Sequence, residues 1–234
     1  MTSRLSFRVT ATVVVAYALA MAYVESAVVV YLQHALNSQV GAIFPLQPVD
    51  QADGLLAIEA GREAATIVML AAVGILAGRT WTERLAWAAV AFGAWDIGYY
   101  GWLYVFSGWP PTLATADILF LLPVPWVGPV WSPMAVSAAL VGVGLVAAWM
   151  LRGGHHIGIA RWHLAAGLGG GLLVIASYTL DAGRLIDGGL PGEYPWPVFA
   201  AGMLAALVAA GDSLRRGGSG ESRGRAPESG MGSD

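Results

Sequence analysis

Apolar residues fall in six long runs, at about 7–32, 55–78, 83–106, 134–151, 162–183 and 195–211. Most come close to the roughly 20 residues that a helix needs to cross a hydrocarbon core. The run at 55–78, LLAIEAGREAATIVMLAAVGILAG, is interrupted by Glu59, Arg62 and Glu63. Residues three and four apart share one helix face, so these side chains form a single polar stripe. Each ionisable group inside a span costs roughly 2.5–3.5 kcal/mol on an insertion scale, so partners are expected from other spans.

The remaining punctuation sets the element boundaries. Thr80-Trp81-Thr82-Glu83 fits a capping box, with the Thr side chain accepting from a free backbone N–H and the Glu reaching back. It predicts the start of the third span. Segment 117–133, DILFLLPVPWVGPVWSP, is apolar but carries Pro123, Pro125, Pro129 and Pro133, which forbid a continuous helix. One or two helical turns at ILFLL, capped by Asp117 or Thr115, followed by an extended or re-entrant stretch, are expected there. The fifth span holds Gly167, Gly169, Gly170 and Gly171, which predict close helix approach. The N-terminal MTSRLSFR with its apolar sequel resembles a signal peptide, but the run continues to Leu32 and reads as an uncleaved first span. No internal repeat is visible.

Composition narrows the class. Mean hydropathy is +0.64, and 57% of residues are hydrophobic against 12% charged, about half the charged share of a soluble domain. The predicted fold is an all-α, polytopic membrane bundle of six transmembrane helices plus a Pro-rich re-entrant or interfacial segment. One transmembrane domain covers 1–212, and a Gly/Ser-rich tail at 213–234 is expected to be disordered. There is no cysteine, so disulfides, thiolate metal sites and Cys nucleophiles are excluded. Neither haem nor a nucleic-acid partner is expected at a net charge of −3. No Glu-x-x-His motif, Gly-x-Ser-x-Gly elbow or phosphate-binding loop is present.

Arginines orient the spans, because cytoplasmic loops carry the positive excess. With both termini in the cytoplasm, Arg4, Arg8, Arg79, Arg84, Arg152, Arg161, Arg215 and Arg216 lie inside and only Arg184 outside. At about 1.5 Å of rise per residue, Glu25, Glu59, Arg62 and Glu63 then fall in the outer part of the membrane, with Asp96 near its middle. Tyr99 and Tyr100 lie one turn further out, and Asp117 and Asp181 at the outer boundary.

Glu25, Glu59, Glu63 and Asp96 bring four negative charges against Arg62, and close together in a poorly hydrated site they cannot all stay ionised. A metal cation, held protons or a cationic ligand resolves the conflict. The expected site is a carboxylate cluster facing the outer side, with Glu25, Glu59, Glu63 and Asp96 as ligands of a divalent metal. An all-oxygen shell suits Mg²⁺, Ca²⁺, Mn²⁺ or iron. A catalytic version, acting on a lipid or another apolar or small molecule from the outer side, gives Arg62 an orienting role. Asp96, Tyr99 and Tyr100 then serve at the reacting group or as proton donors. The alternatives are a proton- or cation-coupled transporter and a structural subunit in which Glu59–Arg62 is packing glue. The plainer readings are an Asp117 helix cap, an Asp181–Arg184 interfacial pair, and solvated His155 and His156. His34 is a further candidate ligand from the outer loop, and the tryptophans form two interfacial belts.

Overall fold

The computed structural model describes residues 5–35 and 54–219. Arg4, nearly all of the 34–54 loop and the tail beyond 219 lie outside the described residues. The elements are α1 (Phe7–Ala35), α2 (Leu55–Ala77), α3 (Trp81–Ser107), β1 (Ala116–Phe120), β2 (Trp126–Pro129), α4 (Trp131–Arg152), α5 (Arg161–Thr179), the short α6 (Ala182–Ile186) and α7 (Trp196–Ser219). The last helix therefore runs past the predicted start of the tail at 213. There Asp212 accepts from His163 of α5 at 2.9 Å and from Arg216 one turn on at 2.5 Å.

Among the described residues five helices are long and apolar enough to cross a membrane: Phe7–Ala35, Ala57–Ala77, Trp131–Arg152, Arg161–Ile186 and Trp196–Gly217. Large apolar side chains such as Leu76, Val68, Leu168 and Leu204 stand exposed on them, as suits a bundle bathed in hydrocarbon rather than water. α3 is not among the five, and its position explains its composition. It is the hub of the bundle and packs on α1, α2 and α4. Its Trp87, Val90, Ala91, Trp95, Tyr100 and Leu103 are buried, so it is built from Trp, Tyr, Ala and Gly that fit against protein. Small residues let its neighbours approach closely. A Cβ on Gly93 would sit 2.5 Å from the Ser137 carbonyl oxygen of α4, and one on Gly144 of α4 would sit 2.7 Å from that of Ala86.

The first four helices are pinned together at the end that carries Arg79, Arg84 and Arg152. Thr80 caps α3 by accepting from the Glu83 N–H at 3.2 Å, as its pattern predicts. Glu83 reaches back to the Arg79 N–H at 3.0 Å, and also accepts from Trp87 at 3.1 Å and from Arg152 of α4 at 2.6 Å. Arg152 donates onward to Thr10 of α1 and to the Ala77 carbonyl of α2. Glu83 is thus a buried hub as well as a cap, a role its local pattern does not reveal.

At the opposite end, ILFLL is not helical. Ile118 and Phe120 lie in β1, which pairs antiparallel with β2 in the register Ala116↔Pro129, Asp117↔Gly128, Ile118↔Val127 and Phe120↔Trp126, with an irregularity between Ile118 and Phe120. Pro123 and Pro125 occupy the connecting turn and Pro129 ends β2, places where a missing N–H costs little. Pairing with a second strand satisfies backbone groups that the prolines would orphan in a helix. Asp117 is consequently a strand residue and not a helix cap.

α5 and α7 form a pair of their own. Gly170 and Gly202 bring their backbones together, a Cβ on either lying 2.6 Å from the other's carbonyl oxygen. Of the predicted glycine cluster only Gly170 serves this approach; Gly167, Gly169 and Gly171 face open space. The pair meets the rest of the chain mainly through β2 and α4.

Candidate functional site

The stripe on α2 faces α1, α3 and the hairpin. Arg62 pairs with Glu25 of α1 and with Glu59 one turn back, the latter through Nε at 3.0 Å as well as the terminal nitrogen. Glu25, 5% exposed, also accepts from the Thr66 hydroxyl. Thr66 lies four residues after Arg62, so it extends the same face and was detectable by spacing alone. Glu63 turns toward the hairpin, where its two oxygens accept from the Leu121 N–H at 3.1 and 2.9 Å. One carboxylate thereby satisfies a donor that the end of a two-stranded sheet leaves free.

α3 supplies the floor. Asp96 accepts from Ser137 of α4 at 2.8 Å, and Tyr100 donates its hydroxyl to Asp117 at 2.9 Å. Tyr99 makes a T-shaped ring contact with Tyr100 and ties α3 to α1 through its carbonyl, which accepts from Ser26 at 2.9 Å. Burial pushes the Asp117 carboxyl up to about 7, with the nearby Asp96 charge adding to the rise and the Tyr100 and Ile118 hydrogen bonds opposing it.

These groups surround one cavity of about 200 Å³ beneath β1. Among the described residues its wall includes Glu25, Glu59, Glu63, Asp96 and Asp117, five carboxylates, together with Arg62. Trp95, Tyr99, Tyr100 and Phe120 supply its aromatic rings, and Thr66 adds a hydroxyl. Trp95 is 8% exposed and its indole N–H has no partner among the described residues. All seven residues singled out from the sequence (Glu25, Glu59, Arg62, Glu63, Asp96, Tyr99 and Tyr100) therefore line a common chamber. Asp117 joins them, having been read as a cap. The run 118–122 after it is apolar without alternation, so the sequence carries no period-2 signal for a strand there.

Among the described residues, no group of three or more Asp, Glu or His side chains is placed to hold one metal ion. Each carboxylate instead has a donor within the protein, with Arg62 shared by Glu25 and Glu59. The expected Asp181–Arg184 pair is not among the ion pairs of the described residues. Asp181 accepts from the Gly192 N–H at 2.7 Å. His163 is buried between the Ala160 N–H and Asp212, and His155 lies against the Met150 carbonyl, all at the arginine end and away from the chamber. No known protein family, curated protein or solved structure matches the chain.

Proposed function

We propose that the chain is a six-span membrane protein with cytoplasmic termini, whose extracytoplasmic half holds an acidic chamber that binds an organic cation of the ammonium class. In this reading α3 is the sixth span and the hairpin lies on the outer side. The observation that carries it is the lining of one cavity by five carboxylates, one arginine and four aromatic rings. Excess negative charge in a poorly hydrated site calls for a cation or for protons. Carboxylates mixed with Trp and Tyr rings suit an ammonium, which gains from both the charge and the ring faces. Carboxylates spread around a cavity, each already held by a protein donor, favour a cation of organic size over a bare divalent metal drawn to three of them.

Calorimetric titration of the full chain in phosphatidylcholine nanodiscs with tetramethylammonium tests this. Saturable binding that weakens about tenfold or more in Glu63→Gln/Asp96→Asn is expected, a loss of at least about 1.4 kcal/mol. Equal heats from both proteins overturn it. So does stoichiometric Mg, Ca, Mn or Fe found by elemental analysis and lost in the variant, which restores the metal.

A second reading has the carboxylates load and release protons, as in a coupled transporter. It draws on the Asp117 carboxyl, which titrates close to neutral pH. Against it stands the other end of the bundle, closed by the buried Glu83–Arg152 cluster with no second acidic chamber described there.

A further inference from the structure

A second cavity, of about 390 Å³, lies between α3 and α4 on one side and the α5–α7 pair on the other. Val136, Leu140, Val143, Val174 and Met203 give it an almost wholly apolar wall. Its size and lining are those of a site for a hydrocarbon group, with very few polar contacts to orient it. It does not stand apart from the acidic chamber: Asp96, Leu119 and Phe120 line both. Asp96 therefore sits at a junction, with carboxylates and aromatic rings on one side and a hydrocarbon-like cleft on the other.

We infer that the two cavities together bind one amphiphile, a long-chain amine or amino alcohol, with its ammonium among the carboxylates and its chain in the cleft. The inference rests on the ammonium reading above and names its substrate class. Three independent observations support it. The cavities share a wall at the one buried carboxylate of α3 that both expose. The charge of the chamber suits a cationic head and repels an anionic one. The unpartnered N–H of the buried Trp95 calls for an acceptor oxygen beside the cation, as an amino alcohol supplies.

The glycines of α5 make the cleft testable without disturbing the fold. Gly167 and Gly171 line it, and a Cβ on either meets nothing within 4 Å. A leucine there adds bulk to the cleft itself. Gly169 is equally unobstructed but does not line the cleft, so it is the matched control. Gly170, packed on α7, is unsuitable.

The experiment titrates the full chain in phosphatidylcholine nanodiscs with tetramethylammonium, dodecyltrimethylammonium and dodecanoate. Gly171→Leu is expected to weaken the dodecyl cation about tenfold or more, since several methylenes lose their site, and to leave tetramethylammonium within about twofold. Gly169→Leu should change neither, and dodecanoate should not compete. A photoreactive diazirine at the chain end of dodecylamine should mark α4, α5 or α7 in the unaltered protein, which keeps the test decisive if Gly171→Leu fails to fold. Three results overturn the proposal. If tetramethylammonium binds and Gly171→Leu and Gly167→Leu leave the dodecyl cation untouched, the cleft is wrong and the chamber stands. If dodecanoate competes as well as the cation, the cleft holds ordinary lipid chains with no choice of head. If tetramethylammonium itself does not bind, the ammonium reading fails and takes the amphiphile with it.

Discussion

Asp117 shows how one side chain acquires chemistry from its surroundings. An ordinary aspartate titrates near 3.9, but burial under β1 raises this one to about 7. The folded chain therefore holds a proton there more tightly than the unfolded chain. Between about pH 4 and pH 7 the unfolded state releases that proton first, so this group's contribution to stability falls as pH rises, then levels off above 7. The steepest slope from one such group is about 1.4 kcal/mol per pH unit. Asp117→Asn keeps an acceptor for Tyr100 and removes the titration. Its melting temperature in detergent, measured from pH 5 to pH 8, should decline less than that of the unaltered chain; parallel curves for the two would contradict the assignment. The polar stripe was legible at this scale because a 3.6-residue period and the cost of charge in an apolar helix are local facts about α2. The role of Asp117 was not, because its partner Tyr100 belongs to another element.

At the scale of elements, α3 and the hairpin set the limits of reading from sequence. The capping box fixed the start of α3, and its length followed. Its place at the centre was written less openly, in glycines whose neighbours come from other helices. The contrast between Gly93 and Gly101 tests that place. Gly93 abuts the backbone of α4, while a Cβ on Gly101 meets nothing within 4 Å. Gly93→Leu should destabilise the protein by about 1–3 kcal/mol or more through overpacking, and Gly101→Leu should stay within about 0.5 kcal/mol. Thermal unfolding in detergent compares them, and equal losses would remove α3 from the hub. The hairpin escaped detection for a different reason. Strand pairing is non-local, and β1 and β2 are short stretches beside prolines without alternation, too brief to separate from a helical turn.

For the whole molecule, the arginines divide one end of the bundle from the other, and a chain without cysteine offers a clean way to place each end. Single cysteines at Trp81, Leu113 and Ile159 occupy exposed positions at the start of α3, after α3 and before α5. In intact cells a membrane-impermeant maleimide should label Leu113→Cys at once, and Trp81→Cys and Ile159→Cys only after permeabilisation. Matching labels at 81 and 113 would mean that α3 does not cross, and a reversed pattern would turn the chamber to the cytoplasm. The separateness of the α5–α7 pair bears on how the protein comes into being. Every residue that lines the acidic chamber lies before residue 122, so a ribosome has delivered that half in full before α5 emerges. The last two long helices can arrive as a ready-made hairpin and dock late. A gene divided after the codon for Gly153, with both fragments expressed in one cell, should therefore yield two polypeptides that co-purify, and a single uninterrupted translation product is not required for assembly.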